Sequence, residues 1–230
     1  MNRRFLFALI LFAAAALSAC AGEVNLLDET KLQDTSLLSG EPCEAPCWNG
    51  ITPGETSYTD AWLLLESDER FKISEEAEPD GENPGRVFSF AEGENQACCQ
   101  VISRDGETIS SFLLQLAPAL TYGPVYDKYG EPSYVAGQQV SDEQGYAVLV
   151  YPETPMVLYA HVSGGAAGTV SVHNKIIGLM YMSALEMGEL LNCARLHTWK
   201  GFVSLGDYAD GEKSDYIGSG VGDETVCRES

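Results

Sequence analysis

Apolar positions along the chain follow different periods in different stretches, and each period predicts a different element. Phe5 to Ala16 is an unbroken apolar run. Further on, Tyr58, Ala61, Trp62 and Leu65 recur at i, i+3, i+4 and i+7, one face of a helix. Ser57-x-x-Asp60 supplies a capping box and Pro53-Gly54 a turn before it. Tyr122, Val125, Tyr126 and Tyr129 repeat that spacing 64 residues later, after a Thr121 cap and before Gly130 and Pro132. A third capping box, Ser183-x-x-Glu186, precedes Leu190, Leu191 and Ala194. Between the helices the pattern changes to strands at 86–91, 97–104, 107–116, 145–151, 156–162, 170–172 and 176–182. Asp105-Gly106 reads as a two-residue hairpin turn. Residues 75–85 read as an acidic loop with Pro and Gly, and 206–225 as an irregular surface tail.

The fold class predicted is α+β. It comprises two tandem units, each a short helix followed by an antiparallel sheet, plus a C-terminal helix and an irregular tail. The segments are a signal peptide over 1–19, a flexible tether over 20–42, the two units over 43–117 and 118–182, and the helix with its acidic Gly-rich tail over 183–230.

The leader carries the sharpest signal. Arg3 and Arg4 precede the apolar run, and Leu17-Ser18-Ala19-Cys20 follows it. A short apolar run with basic residues before it and small residues after it is a secretory signal. The Leu-Ser-Ala-Cys ending resembles the bacterial lipobox. The resemblance implies that Cys20 carries diacylglycerol and further acyl chains such as palmitate, and becomes the new N-terminus. Acyl chains contribute about 0.8 kcal/mol per buried CH₂, so several of them hold a protein firmly on a membrane. The expected location is extracytoplasmic, lipid-anchored to a bacterial membrane. Residues 21–42, with five acids, one Lys and no aromatic residue, read as a tether.

Charge narrows the partners. The chain has 230 residues, 34 acidic against 13 basic, for a net charge of −21. A phosphate backbone repels such a surface, so nucleic acid is excluded as a partner. Beyond the leader, no apolar run approaches the roughly 18 residues of a membrane helix.

Gly50-Ile51-Thr52-Pro53-Gly54-Glu55-Thr56 followed by a short amphipathic helix resembles the opening of small bacterial lipoproteins of the BamE (SmpA/OmlA) type. The stretch Leu120 to Pro132, ending Tyr129-Gly130-Glu131-Pro132, resembles the Leu-Gly-x-Pro helix end of the same group. Two such units in tandem look like the architecture of β-lactamase-inhibitor-like proteins. The run from Cys43 through Cys47-Trp48 to Ile51 is also similar to a set of uncharacterised bacterial lipoproteins. The first helix departs from the pattern, with Leu65-Glu66-Ser67-Asp68 in place of Leu-Gly-x-Pro. The resemblance implies a protein–protein interaction module of the cell envelope and carries over no catalytic residue.

Six cysteines remain besides Cys20: Cys43, Cys47, Cys98, Cys99, Cys193 and Cys227. An even number in an exported domain reads as a disulfide framework. Cys193 and Cys227 are the expected pair, clipping the tail to the third helix. Cys43 and Cys47 pair locally or reach to Cys98 or Cys99. Neighbouring residues on a strand point to opposite faces, so one partner cannot readily serve both Cys98 and Cys99. The Cys-x-x-x-Cys and Cys-Cys spacings match no zinc site.

Catalytic signals are weak. His161 and His173 on neighbouring strands, with a carboxylate, could hold a transition metal, and separate structural histidines are the simpler reading. Ser163 lacks a G-x-S-x-G elbow. The glycine-rich stretches 164–168 and 218–222 lack the context of a phosphate loop. Asp207, Asp210, Asp215 and Asp223 are calcium candidates, but their spacing fails the EF-hand pattern. Otherwise no cofactor and no enzyme activity is expected. Trp48 and Trp199, outside the helical periods, are the candidate partner anchors, because Trp dominates binding hot spots. The expected function is therefore a non-enzymatic interaction module with an envelope protein partner. The alternative is an acidic calcium- or small-ligand-binding lipoprotein, and the third reading is an envelope hydrolase.

Overall fold

The computed structural model describes residues 25–77 and 84–209. Cys20, Cys227, Asp210, Asp215 and Asp223 lie outside the described residues. So do the leader and most of the predicted tail.

The fold is mixed, with few helices and one large antiparallel sheet. Helix α1 (Ser36–Ser39) is a single turn, and α2 is Tyr58–Ser67. Strands β1 (Phe71–Ala77), β2 (Arg86–Glu92), β3 (Cys99–Ser103) and β4 (Ser111–Gln115) follow. Helix α3 (Tyr122–Tyr129) precedes β5 (Tyr134–Gln139), β6 (Gln144–Tyr151), β7 (Met156–Ser163) and β8 (Ile176–Met182). Helix α4 (Ala184–Cys193) and β9 (His197–Thr198) close the order. The strands form one nine-stranded sheet, β1-β2-β3-β4-β8-β7-β6-β5-β9. Each half of the chain thus runs helix first, then a four-strand meander. The two meanders join through β4 and β8, where Leu114 faces Leu179, so the strands expected in two sheets share a single one.

The helix starts follow the capping chemistry. Ser57 Oγ accepts the Asp60 amide at 3.0 Å and donates to the Asp60 carboxylate at 2.7 Å. Ser183 Oγ accepts the Glu186 amide at 3.2 Å. Thr121 occupies the cap of α3 without a side-chain bond, and Gly130 ends that helix at φ 77. Arg104, at the β3–β4 turn, reaches Glu186 at 2.7 Å and Glu189 at 2.5 Å and fastens α4 to the sheet.

Alternation along the strands sorts the core onto two faces. Met156, Leu158, Ala160 and Val162 of β7 point into the main core. Val157 and Tyr159 point into a smaller cluster with Met182, Met187 and Leu196, which α4 covers. On the main face lie Tyr58, Ala61 and Leu65 of α2 and Tyr122 and Val125 of α3.

Several expectations change. The segment expected to be a tether is packed from Leu32 onward. Leu32, 2% exposed, is joined to Leu116 by a parallel bridge, and Leu37 is buried. Lys128 Nζ donates to the carbonyls of Leu37 and Leu38 at 3.3 and 3.2 Å, and Tyr129 donates to Leu37 at 2.9 Å. The Asp105-Gly106 turn is wider than two residues. The amides of Tyr58 and Ile109 bond to Glu107 and Thr56, which draws 107–109 away from β3 and onto the α2 entry. Residues 75–77, expected in a loop, belong to β1, and β1, β5 and β9 are all additional strands. Val170 to Val172 lies outside the strands; Val170 is held by the Val203 carbonyl. A 3-10 turn over Leu205–Tyr208, at the start of the predicted surface tail, buries Leu205 and Tyr208. That turn sits so close to β5 that a Cβ on Gly137 would meet the Leu205 carbonyl oxygen at 2.5 Å.

Candidate interaction surface

The chain leaves β9 with the Trp199 amide bonded to the Ser133 carbonyl at 3.2 Å, then reverses at Gly201, φ 88. Only glycine adopts that φ without strain. The reversal is pinned by Tyr208, whose hydroxyl accepts the Lys200 amide and donates to the Gly201 carbonyl, both at 2.8 Å. Burial raises the pKa of that phenol, so it stays protonated and able to donate.

This turn builds an aromatic surface beside α3. Trp199 stacks on Tyr208, 5.9 Å between centroids and 5° between planes. Phe202 meets Trp199 edge-on at 5.4 Å and tilts onto Tyr126 at 5.4 Å. Phe202 remains 41% exposed, and Trp199 and Tyr126 are half-buried. Tyr126 donates its hydroxyl to Glu131 at 3.0 Å, and that carboxylate raises the phenol's pKa. Beneath them the buried hydroxyls of Tyr122 and Tyr151 share a 2.7 Å bond, and Tyr151 also donates to the Gly130 carbonyl at 3.2 Å. These bonds fix the end of α3 and therefore Glu131. Trp199 Nε1 is buried and has no acceptor among the described residues.

The other anchor expected from sequence is elsewhere. Trp48 is 4% exposed. It packs among Phe71, Phe90 and Phe112 at 5.6 to 6.0 Å and donates its indole N–H to Asp34 at 3.3 Å. It is a core residue, so the expectation of an exposed anchor is corrected. A cleft of about 120 Å³ beside it is lined by Asp34, Glu41, Asn49 and Arg70. Within it Arg70 is already bonded to Asp68 and Asn49.

The sulfurs of Cys43 and Cys47 lie at disulfide distance, as do those of Cys98 and Cys99. Cys98 lies just before β3, which begins at Cys99. Both sulfur-bearing residues are buried. Cys193 is also disulfide-bonded; its expected partner Cys227 lies outside the described residues.

His161 is on β7, whereas His173 is in the exposed turn before β8. Burial lowers the His161 pKa. His197 is buried on β9, with Nε2 3.2 Å from the Ala209 carbonyl. No three His, Cys, Asp or Glu residues come together as a metal site among the described residues. Asp207 is exposed on the 3-10 turn. The glycines at 164–168 form a turn whose Ala166 carbonyl accepts Ser204 Oγ at 2.7 Å. No helix among the described residues is long and apolar enough to cross a membrane.

Sequence reasoning reached Trp199 but missed Phe202 and Glu131, and it assigned Tyr126 to a buried helix face. Phe202 lies in a non-periodic run after Lys200-Gly201, where only the Gly hinted at a reversal. No protein-family model, no curated protein and no solved structure matches this chain.

Proposed function

We propose that the protein is a lipid-anchored, extracytoplasmic interaction module of the bacterial cell envelope, without catalytic activity of its own. Cys20 is its anchor, and the Trp199–Phe202–Tyr126 surface is where an envelope protein partner docks. The observation that carries the reading is Phe202, a large apolar ring exposed between two aromatic neighbours on a pinned turn. Exposed aromatic clusters of this kind are typical anchors of protein interfaces. The two helix-plus-meander halves are proposed to be equivalent units, joined edge to edge through β4 and β8, as a BamE-type or β-lactamase-inhibitor-like tandem would require.

Two measurements test this. Membrane fractionation of cells expressing the wild-type chain and Cys20→Ser tests the anchor. The substitution is expected to release the protein from the membrane, and unchanged retention contradicts the anchor. Affinity capture from the native envelope tests the surface. A partner is expected to be retained by the wild-type domain and lost on Phe202→Ala.

A further inference from the structure

We propose that the Trp199–Phe202–Tyr126 surface receives a cationic side chain, an arginine or lysine presented by a basic segment of the partner protein. This rests on the reading of that surface as the docking site and names the chemistry it takes.

Aromatic faces carry negative charge density and attract cations within about 6 Å of the ring centroid. Here Phe202 and Tyr126 form an angle of 48° with centroids 5.4 Å apart, and Trp199 meets Phe202 edge-on. Tyr126 donates its proton toward the Glu131 carboxylate, which makes its ring more electron-rich. Asp127 adds a second negative charge acting on the same phenol. Glu131 and Asp127 are both exposed, and neither forms an ion pair with a described residue. A cation seated on the Tyr126 ring would lie near the Glu131 carboxylate that the phenol bonds.

Elsewhere the protein supplies its own cations to rings. Arg86 lies 3.9 Å over Tyr58, Arg70 lies 4.8 Å over Phe71, and Lys128 lies 5.1 Å over Tyr129. Phe202 and Tyr126 receive none: among the described residues no cation covers these two rings. A net charge of −21 favours a basic partner over long range as well.

The test uses the disulfide-intact domain from Asn25 and an alternating Gly–Arg octapeptide at about 150 mM salt, where weak long-range attraction is screened. Alternating Gly–Lys and Gly–Glu peptides are the comparisons. NMR follows the Phe202 and Tyr126 ring signals and the Trp199 indole N–H. The Gly–Arg or Gly–Lys peptide is expected to shift these signals saturably, and the Gly–Glu peptide to leave them in place. Phe202→Ala should weaken binding about five- to tenfold and Glu131→Gln about threefold, in the range of a partly desolvated cation–π contact. Glu153→Gln, an exposed carboxylate on the β6–β7 turn, should change nothing. Glu131→Gln removes only an exposed charge, so it keeps the test valid even if Phe202→Ala misfolds. Equal affinity in all three variants would mean diffuse attraction to an acidic surface and would overturn the proposal. So would ring signals that fail to move at millimolar peptide. If envelope capture still depends on Phe202 while neither basic peptide binds, the docking surface stands and its cationic occupant is wrong.

Discussion

Trp48 and Trp199 carry the same side chain and meet opposite surroundings. Trp48 has its N–H satisfied by Asp34 and three Phe rings about it. Trp199 has a buried N–H without an acceptor among the described residues and an exposed ring as its neighbour. Their spacing in the sequence did not separate them, because burial depends on which distant rings converge. Phe71, Phe90 and Phe112 come from three different strands. Removing Trp48 leaves a large cavity, so Trp48→Ala is expected to cost about 3–5 kcal/mol of stability by denaturant unfolding. A loss below about 1 kcal/mol would mean the ring is not in the core. His161 makes a pH prediction. Burial favours its neutral form and lowers its pKa, while an unfolded His titrates near about 6.5. Its contribution is therefore complete above that value and is lost as pH falls through the lower folded value. Between about pH 7 and about pH 5 the wild-type melting temperature should fall more steeply than that of His161→Gln. Superimposable profiles would remove His161 from the account.

At the scale of elements, helices were the most legible. Ser57-x-x-Asp60 and Ser183-x-x-Glu186 are local signals, and both caps form as the spacing requires. Strands β2, β6, β7 and β8 were also legible, since alternation is a local pattern. β1 was not, because Lys72, Glu75 and Glu76 make it read as polar; a strand at the edge of a sheet tolerates such charges. The packed segment before Cys43 was hidden for a different reason. Leu32 and Leu37 carry no periodicity, and their burial comes from Gln115, Leu116, Lys128 and Tyr129 far along the chain. A chain begun at Glu41 instead of Asn25 loses both leucines from the core and Asp34 from Trp48. It is expected to be less stable by at least about 3 kcal/mol, given about 2–5 kcal/mol for each buried Leu→Ala. Equal unfolding midpoints for the two chains would show that the segment only rests on the surface.

At the scale of the whole molecule, the sequence conveyed α and β content but not the joining of the meanders. That join depends on pairing β4 with β8, more than sixty residues apart, and no local pattern encodes such a pairing. The continuous sheet predicts cooperative behaviour. Both halves should unfold in a single transition by circular dichroism and by Trp fluorescence, and two separated transitions would show independent units. The surface around Phe202 is likewise a product of the whole fold. It needs α3, the β9 exit and the Tyr208 turn together, which is why only Trp199 among its members was visible beforehand. The most direct test of an interaction module docking there is quantitative envelope capture with wild-type and Phe202→Ala domains, both from Asn25 with disulfides intact. The account predicts one reproducible partner whose recovery falls at least about fivefold on Phe202→Ala while the circular dichroism spectrum is unchanged. Equal recovery by the two domains would contradict it.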